Sequence, residues 1–342
     1  MYIRFLSLVF AALSIVTAAL FTGYSLAGDG QAAEASPPVL TLEVPPQTEA
    51  PPKETETAPP EVTEPERDIL AENCALAAGE MDGTHIFVWD PENYRMLFSQ
   101  ANMEAKLYPA SITKLYTAYL ALMYLEPDQV ITAGAELKLV HPGSSTAYIA
   151  RGHRLRVDML IEAMLLPSGN DAAYVLAAAA GRIIAGDKTL DAEKAVAAFV
   201  AEMNQEAFRL GLSDTNFVNP DGWHDPNHYT SAQDAAVFSS LAMGDPVIRK
   251  YAGMCADAVT FESGEVITWY NTNRLVNPSS QDYCPNAIGA KTGFTSEAGY
   301  CLVAVFREGQ QELVVGIFGS QDPYSRYNDA VTLWQICKEG KL

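Results

Sequence analysis

Residues 289–318 read GAKTGFTSEAGYCLVAVFREGQQELVVGIF, and this stretch sets the architecture. Gly299 to Phe306 and Glu312 to Phe318 are β-rich apolar runs joined by the polar turn Arg307 to Gln311, the pattern of an antiparallel hairpin. Lys291-Thr-Gly293 stands just ahead of it, where an edge strand can pair with an extended ligand. Far upstream, Thr84 to Trp89 and Arg95 to Phe98 flank the turn Asp90-Pro-Glu-Asn93 and read as a second hairpin. Helical periodicity fills the interval over Ser111 to Leu125, Val157 to Leu166, Asp171 to Ala185 and Ala192 to Leu210, and Tyr324 to Cys337 reads as a closing helix. With strands at both ends and helices between, the ends must meet in space. No second linker interrupts residues 69–342, which are therefore expected to form one domain.

The N-terminal residues differ in kind. Arg4 precedes an apolar stretch from Phe5 to Ala27, so residues 1–34 are expected to be an export segment. Ser25-Leu-Ala27 or Ala33-Glu-Ala35 suits cleavage, while the length suits retention as a membrane anchor, and both fates stay open. Residues 35–68 carry prolines 37, 38, 45, 46, 51, 52, 59, 60 and 65 among Glu and Thr. Such a segment buries too little apolar surface to offset chain entropy, and it is expected to be a disordered tether.

The chain has 342 residues, of which 49% are hydrophobic and 19% charged, enough for a sizeable core. Its formal charge of −20 and the lack of a dense Lys/Arg run argue against a nucleic-acid partner. The spacing of Cys74, Cys255, Cys284, Cys301 and Cys337 does not fit a zinc ribbon. Cys255 and Cys284 could form a bridge, whereas Cys301, inside an apolar run, reads as a buried free thiol. His224 and His228 have metal-pair spacing, but Pro226 and Asn227 between them make a turn the simpler reading. No metal or organic cofactor is implied.

Three short motifs carry the chemistry: Ser111-Ile-Thr-Lys114, Ser168-Gly-Asn170 and Lys291-Thr-Gly293. Pro109-Ala-Ser111 stands at the start of a helical run, where unpaired N–H groups favour developing negative charge. Lys114 falls three residues later on the same face, so nucleophile and base can touch. A serine hydroxyl needs such a base, and a lysine serves when burial or a second cation lowers its pKa; Lys291 could be that cation. The expected roles are Ser111 as nucleophile, Lys114 as base, and Ser168 as proton relay to the leaving amine. Asn170 is expected to hold Lys114 and the substrate amide. Lys291 and Thr292 would bind a carboxylate, Gly293 would admit a close approach, and the N–H groups of Ser111 and Phe294 would meet the oxyanion.

The sequence resembles the penicillin-binding D-alanyl-D-alanine carboxypeptidases of low molecular weight across nearly all of residues 69–342. The matching text includes Pro109-Ala-Ser-Ile-Thr-Lys114, Leu166-Pro-Ser-Gly-Asn-Asp-Ala172, Phe199 to Asn204, Thr215-Asn-Phe-Val-Asn-Pro-Asp-Gly222, Ser231 to Asp234 and Gly289-Ala-Lys-Thr-Gly-Phe-Thr295. The resemblance implies a mixed α/β, DD-peptidase/β-lactamase-like fold: a five-stranded antiparallel sheet between helices, with a helical region inserted between the first two strands and the last three. It implies a peptidoglycan stem peptide ending in D-Ala-D-Ala as substrate and β-lactams as inhibitors. Many relatives add a β-rich domain and an amphipathic anchor. With this sequence ending at Leu342, membrane attachment is expected to fall to the N-terminal segment. Some relatives place an arginine upstream of the Lys-Thr-Gly strand where Thr272 stands here. A class A β-lactamase would carry Asp in place of Gly169 and a deacylating Glu loop. A penicillin-sensing or peptidoglycan-binding module without catalysis remains the alternative on the same scaffold.

Overall fold

The computed structural model describes residues 64–340. The expected export segment and the tether as far as residue 63 lie outside them. Helix α1 spans Glu64–Ala78, so residues 64–68 of the expected tether are helical. Cys74 and Ala78 of this helix are buried in the core on one face of the sheet.

The main sheet has the order β2-β1-β9-β8-β7 and is antiparallel throughout. Its strands are β1 (His85–Asp90), β2 (Arg95–Gln100), β7 (Ala287–Thr295), β8 (Gly299–Glu308) and β9 (Gln311–Ser320). Hydrophobicity is continuous in β8 and β9 because both sheet faces are covered. Cys301, Val303 and Val305 face one core, whereas Leu302, Ala304 and Phe306 face the other. The second core is closed by α1 and by the terminal helix α8 (Ser325–Glu339), whose Trp334 stacks on Phe306 at 5.5 Å.

The opposite face carries the helical region. It comprises α2 (Thr113–Tyr124), α3 (Val157–Leu165), α4 (Asn170–Ile184), α5 (Ala192–Arg209), α6 (Ala232–Gly244) and α7 (Pro246–Ala252). Two small hairpins accompany it, β3 (Val130–Thr132) with β4 (Arg154–Arg156) and β5 (Ala256–Thr260) with β6 (Val266–Tyr270). Trp269 and Tyr270 lie in this second hairpin. Helix α2 is buried on nearly all sides, so it lacks a polar face; Tyr116 stacks on Phe217 at 4.8 Å.

All five cysteines are free, so the expected Cys255–Cys284 bridge is not formed. The buried Cys301 thiol lies near the Gly299 and Ala298 carbonyls, and burial pushes its pKa up to about 11. Between α1 and α8 the thiols of Cys74 and Cys337 meet in a hydrogen bond.

Candidate active site

Ser111 does not begin the α-helix. It occupies a 3-10 turn, Ala110–Ile112, that leads into α2. Ala110 holds φ +47°, a left-handed conformation costly for a residue with a Cβ. Thr113 steadies the turn: its hydroxyl donates to the Ala110 carbonyl at 2.9 Å and pairs with His228 Nε2 at 2.9 Å. The Val218 N–H donates to His228 Nδ1 at 3.2 Å, and burial pulls this histidine's pKa down to about 3. His228 is thus a neutral bracket between a loop and the nucleophile turn. His224 packs edge-on against Tyr108 at 4.7 Å.

Lys114 Nζ donates to Ser111 Oγ at 2.7 Å and to the Asp221 carbonyl oxygen at 2.6 Å. The side chain is fully buried, and desolvation lowers its pKa to about 8 against the opposing pull of Asp221 and Asp171. Among the described residues, the Asn170 side chain makes no hydrogen bond to Lys114, contrary to expectation. The Asp221 carbonyl takes that place because its loop is stitched onto α2: Thr117 donates to the Pro220 carbonyl at 2.6 Å, and the Gly222 N–H donates to Asn219 Oδ1 at 2.8 Å. Gly222 has φ +80°, and a Cβ there would lie 1.8 Å from the Ala110 carbonyl oxygen. The Asn-Pro-Asp-Gly run therefore buttresses both the lysine and the turn that carries Ser111. Burial raises the pKa of the Asp221 carboxyl, which receives the Trp223 N–H at 3.2 Å. Trp223 itself stacks on His141 at 3.8 Å.

Ser168 is buried with φ +63°, in the turn that precedes α4. Among the described residues its hydroxyl has no hydrogen bond to Ser111 or Lys114. The Asn170 N–H donates to the Ser145 carbonyl at 2.9 Å, and Asp171 accepts the N–H groups of Ala147, Ile149 and Ala172. The turn is thereby fixed to the neighbouring loop while the side chains of Ser168 and Asn170 stay uncommitted.

The third motif lies inside edge strand β7. Gly293 runs against the nucleophile turn so closely that a Cβ would be 3.0 Å from the Ser111 nitrogen. Lys291 is 1% exposed and donates to the Thr292 carbonyl at 3.0 Å and to Thr272 Oγ1 at 3.4 Å. Desolvation, then the positive charges of Lys114 and Arg326, hold its pKa well below the usual lysine range. The Lys114 shift itself comes from burial, with Asp221 and Asp171 opposing it, and not from Lys291 as expected. Thr292 Oγ1 lies 2.6 Å from Thr272 Oγ1. Phe294 is exposed, with its ring stacked on Tyr300 at 4.4 Å.

Three contributors were not anticipated in these roles. Asp221 and Gly222 belong to a run whose resemblance was visible but whose purpose was not. Arg326, from α8, donates to the Gly293 and Cys301 carbonyls at 3.1 and 3.0 Å, pinning β7 from behind. Nothing in its local sequence marks it.

A buried lysine in contact with a serine hydroxyl, beside an edge strand bearing a second buried lysine, is an arrangement that can support acyl transfer to serine. The model of the D-alanyl-D-alanine carboxypeptidase family matches residues 72–322, and the chain belongs to that family. It is 30% identical over 228 residues to D-alanyl-D-alanine carboxypeptidase DacF of Bacillus subtilis, covering 66% of this chain and 54% of that protein. It is 32% identical over 244 residues to DacD of Escherichia coli, covering 68% and 58% respectively. The chain thus spans little more than half the length of these curated relatives. Among solved structures, the Streptomyces K15 DD-transpeptidase superposes with TM-score 0.67 at 26% identity, covering 75% of this chain and 97% of that one. An ampicillin-bound penicillin-binding protein D2 of Listeria monocytogenes superposes with TM-score 0.60 at 26% identity, covering 75% and 98%.

Proposed function

We propose that this chain is a serine-type D-Ala-D-Ala carboxypeptidase that removes the terminal D-alanine from peptidoglycan stem peptides and is acylated by β-lactams. The observation that carries this reading is the 2.7 Å contact between Lys114 Nζ and Ser111 Oγ, made by a lysine with no exposed surface. Neutral Lys114 takes the Ser111 proton as Oγ attacks the carbonyl carbon of the penultimate residue. The N–H groups of Ser111 and Phe294 stabilise the oxyanion. Ser168 passes a proton to the departing amine nitrogen as the C–N bond breaks and takes the one held by Lys114, so that D-alanine leaves and Lys114 is neutral again. Water then attacks the ester, its proton passes to Lys114, and Ser111 Oγ is released carrying a proton. Asn170 binds the peptide amide, Lys291 and Thr292 hold the terminal carboxylate, and the absence of a side chain at Gly293 lets substrate lie along β7.

In this reading residues 1–34 export the chain, residues 35–63 act as a tether, and the enzyme works at the outer face of the membrane or in the wall space. No described helix is long and apolar enough to cross a membrane, and residues 1–34 lie outside that description. Mass spectrometry of pentapeptide muropeptides incubated with the full chain should record loss of one alanine. Ser111→Ala should abolish both that loss and labelling by fluorescent penicillin with an unchanged circular dichroism spectrum. Release at the wild-type rate by this variant overturns the mechanism, and labelling without release in the wild type identifies a penicillin-sensing module instead.

A further inference from the structure

Thr272 lies outside all three motifs, in the segment between β6 and β7, yet it is bonded to every side of the cleft. Its N–H donates to the Leu166 carbonyl at 3.0 Å, just ahead of the Ser168 turn. Its carbonyl accepts the Tyr327 hydroxyl of α8 at 3.0 Å. Asn271 and Asn273 brace the segment: the Asn271 side-chain amide donates to the Ala252 and Met254 carbonyls, and Asn271 Oδ1 receives the Asn273 N–H. The backbone of Thr272 is therefore fixed while its side chain stays open to the cleft.

Its hydroxyl touches both members of the Lys-Thr pair, 3.4 Å from Lys291 Nζ and 2.6 Å from Thr292 Oγ1. An incoming carboxylate favours the protonated form of Lys291, which has donors and no acceptor and so donates to Thr272 Oγ1. A hydroxyl carries one proton, and a cation at its oxygen makes that proton a stronger donor. With the Thr272 proton directed to Thr292 Oγ1, one of the two directions that their 2.6 Å contact allows, the Thr292 proton is left to point into the cleft.

Building on the carboxypeptidase reading, we propose that Thr272 is a positioning and specificity residue that relays the Lys291 charge to Thr292, orienting the Thr292 hydroxyl as a donor for the C-terminal carboxylate of the acyl donor. The relay accounts for how a lysine buried below the strand can favour an anion it need not touch. It selects carboxylate over carboxamide, because only the anion gains from a donor whose direction is fixed and charge-assisted.

The test compares Thr272→Val and Thr272→Ser with the wild type on a synthetic acyl-D-Ala-D-Ala and its C-terminal carboxamide, and in parallel on acylation by a penicillin and its methyl ester. Valine keeps the shape and removes the hydroxyl. The expected result is an acid-to-amide ratio of kcat/KM lowered about tenfold in Thr272→Val, mainly through KM for the acid, with the amide little changed. The acid-to-ester ratio for penicillin acylation should fall in the same direction. Thr272→Ser, which restores the hydroxyl, should recover both ratios to within about twofold. Unchanged ratios in Thr272→Val overturn the relay, as does an equal loss on acid and neutral ligands, which marks a merely structural role. If the wild type releases no D-alanine but prefers the penicillin acid and loses that preference in Thr272→Val, the carboxypeptidase reading fails and the relay stands. A wild type that is not acylated by penicillin and releases no D-alanine removes both.

Discussion

Burying an ammonium group costs several kcal/mol unless partners or neutralisation offset it, and Lys114 uses both routes. Two hydrogen bonds hold it, and desolvation brings its pKa to about 8, low enough for a substantial neutral fraction near neutral pH. The neutral amine is the form that accepts a proton from Ser111. Acylation by fluorescent penicillin should therefore rise with pH up to about 8 and level off above it, in stopped-flow traces of the wild type. A profile flat from about pH 6 to about pH 9 would place the base elsewhere. Lys114→Arg keeps the charge and cannot become neutral, so it should lower acylation at least about a hundredfold without restoring activity at high pH. At Thr292 the expected split is by ligand: Thr292→Val should weaken D-alanine release more than β-lactam acylation, measured as kcat/KM for each. A loss equal on the acid substrate and on its C-terminal carboxamide would count against a carboxylate role.

At the scale of elements, the site is assembled by close approach of β7 to the 3-10 turn. Gly293→Ala places a Cβ 3.0 Å from both Ser111 N and Ala110 Cβ, so strand or turn must shift by a few tenths of an ångström. Misplacement of that kind should lower acylation about tenfold or more while thermal stability changes little, which labelling kinetics and a melting curve together resolve. Gly222→Ala is harsher, since the added methyl meets a backbone oxygen and the residue keeps φ +80°. A loss of about 2 kcal/mol or more in urea unfolding is expected, with activity falling alongside it. These contacts explain where sequence reading stopped. Ser-x-x-Lys is a contact within one turn, so spacing alone brought Ser111 and Lys114 together. Asp221, Thr272 and Arg326 reach the site through carbonyls, hydroxyls and long-range packing, which leave no periodicity to read. The start of α2 was likewise set by the strained Ala110 turn rather than by helix propensity.

The described residues form two cores divided by one sheet. The strand runs at either end of the domain and the helical interval between them were legible, because apolar period and turn chemistry specify them locally; the two small hairpins were not separable from the main sheet on those grounds. The outer core, against α1 and α8, is the smaller. Trp334→Ala removes a fully packed indole from it and should cost about 3–5 kcal/mol in urea unfolding, against a cleft it does not touch. Penicillin labelling of the folded fraction should survive. The meeting of Cys74 and Cys337 also says something about chain topology. The two helices that bound the described residues pack side by side where these thiols meet. The two ends of the described residues thus belong to helices in contact with each other. A circular permutant that links residue 340 to residue 64 through a short flexible segment, with new ends at the exposed Arg307–Gln311 turn, should fold and still acylate.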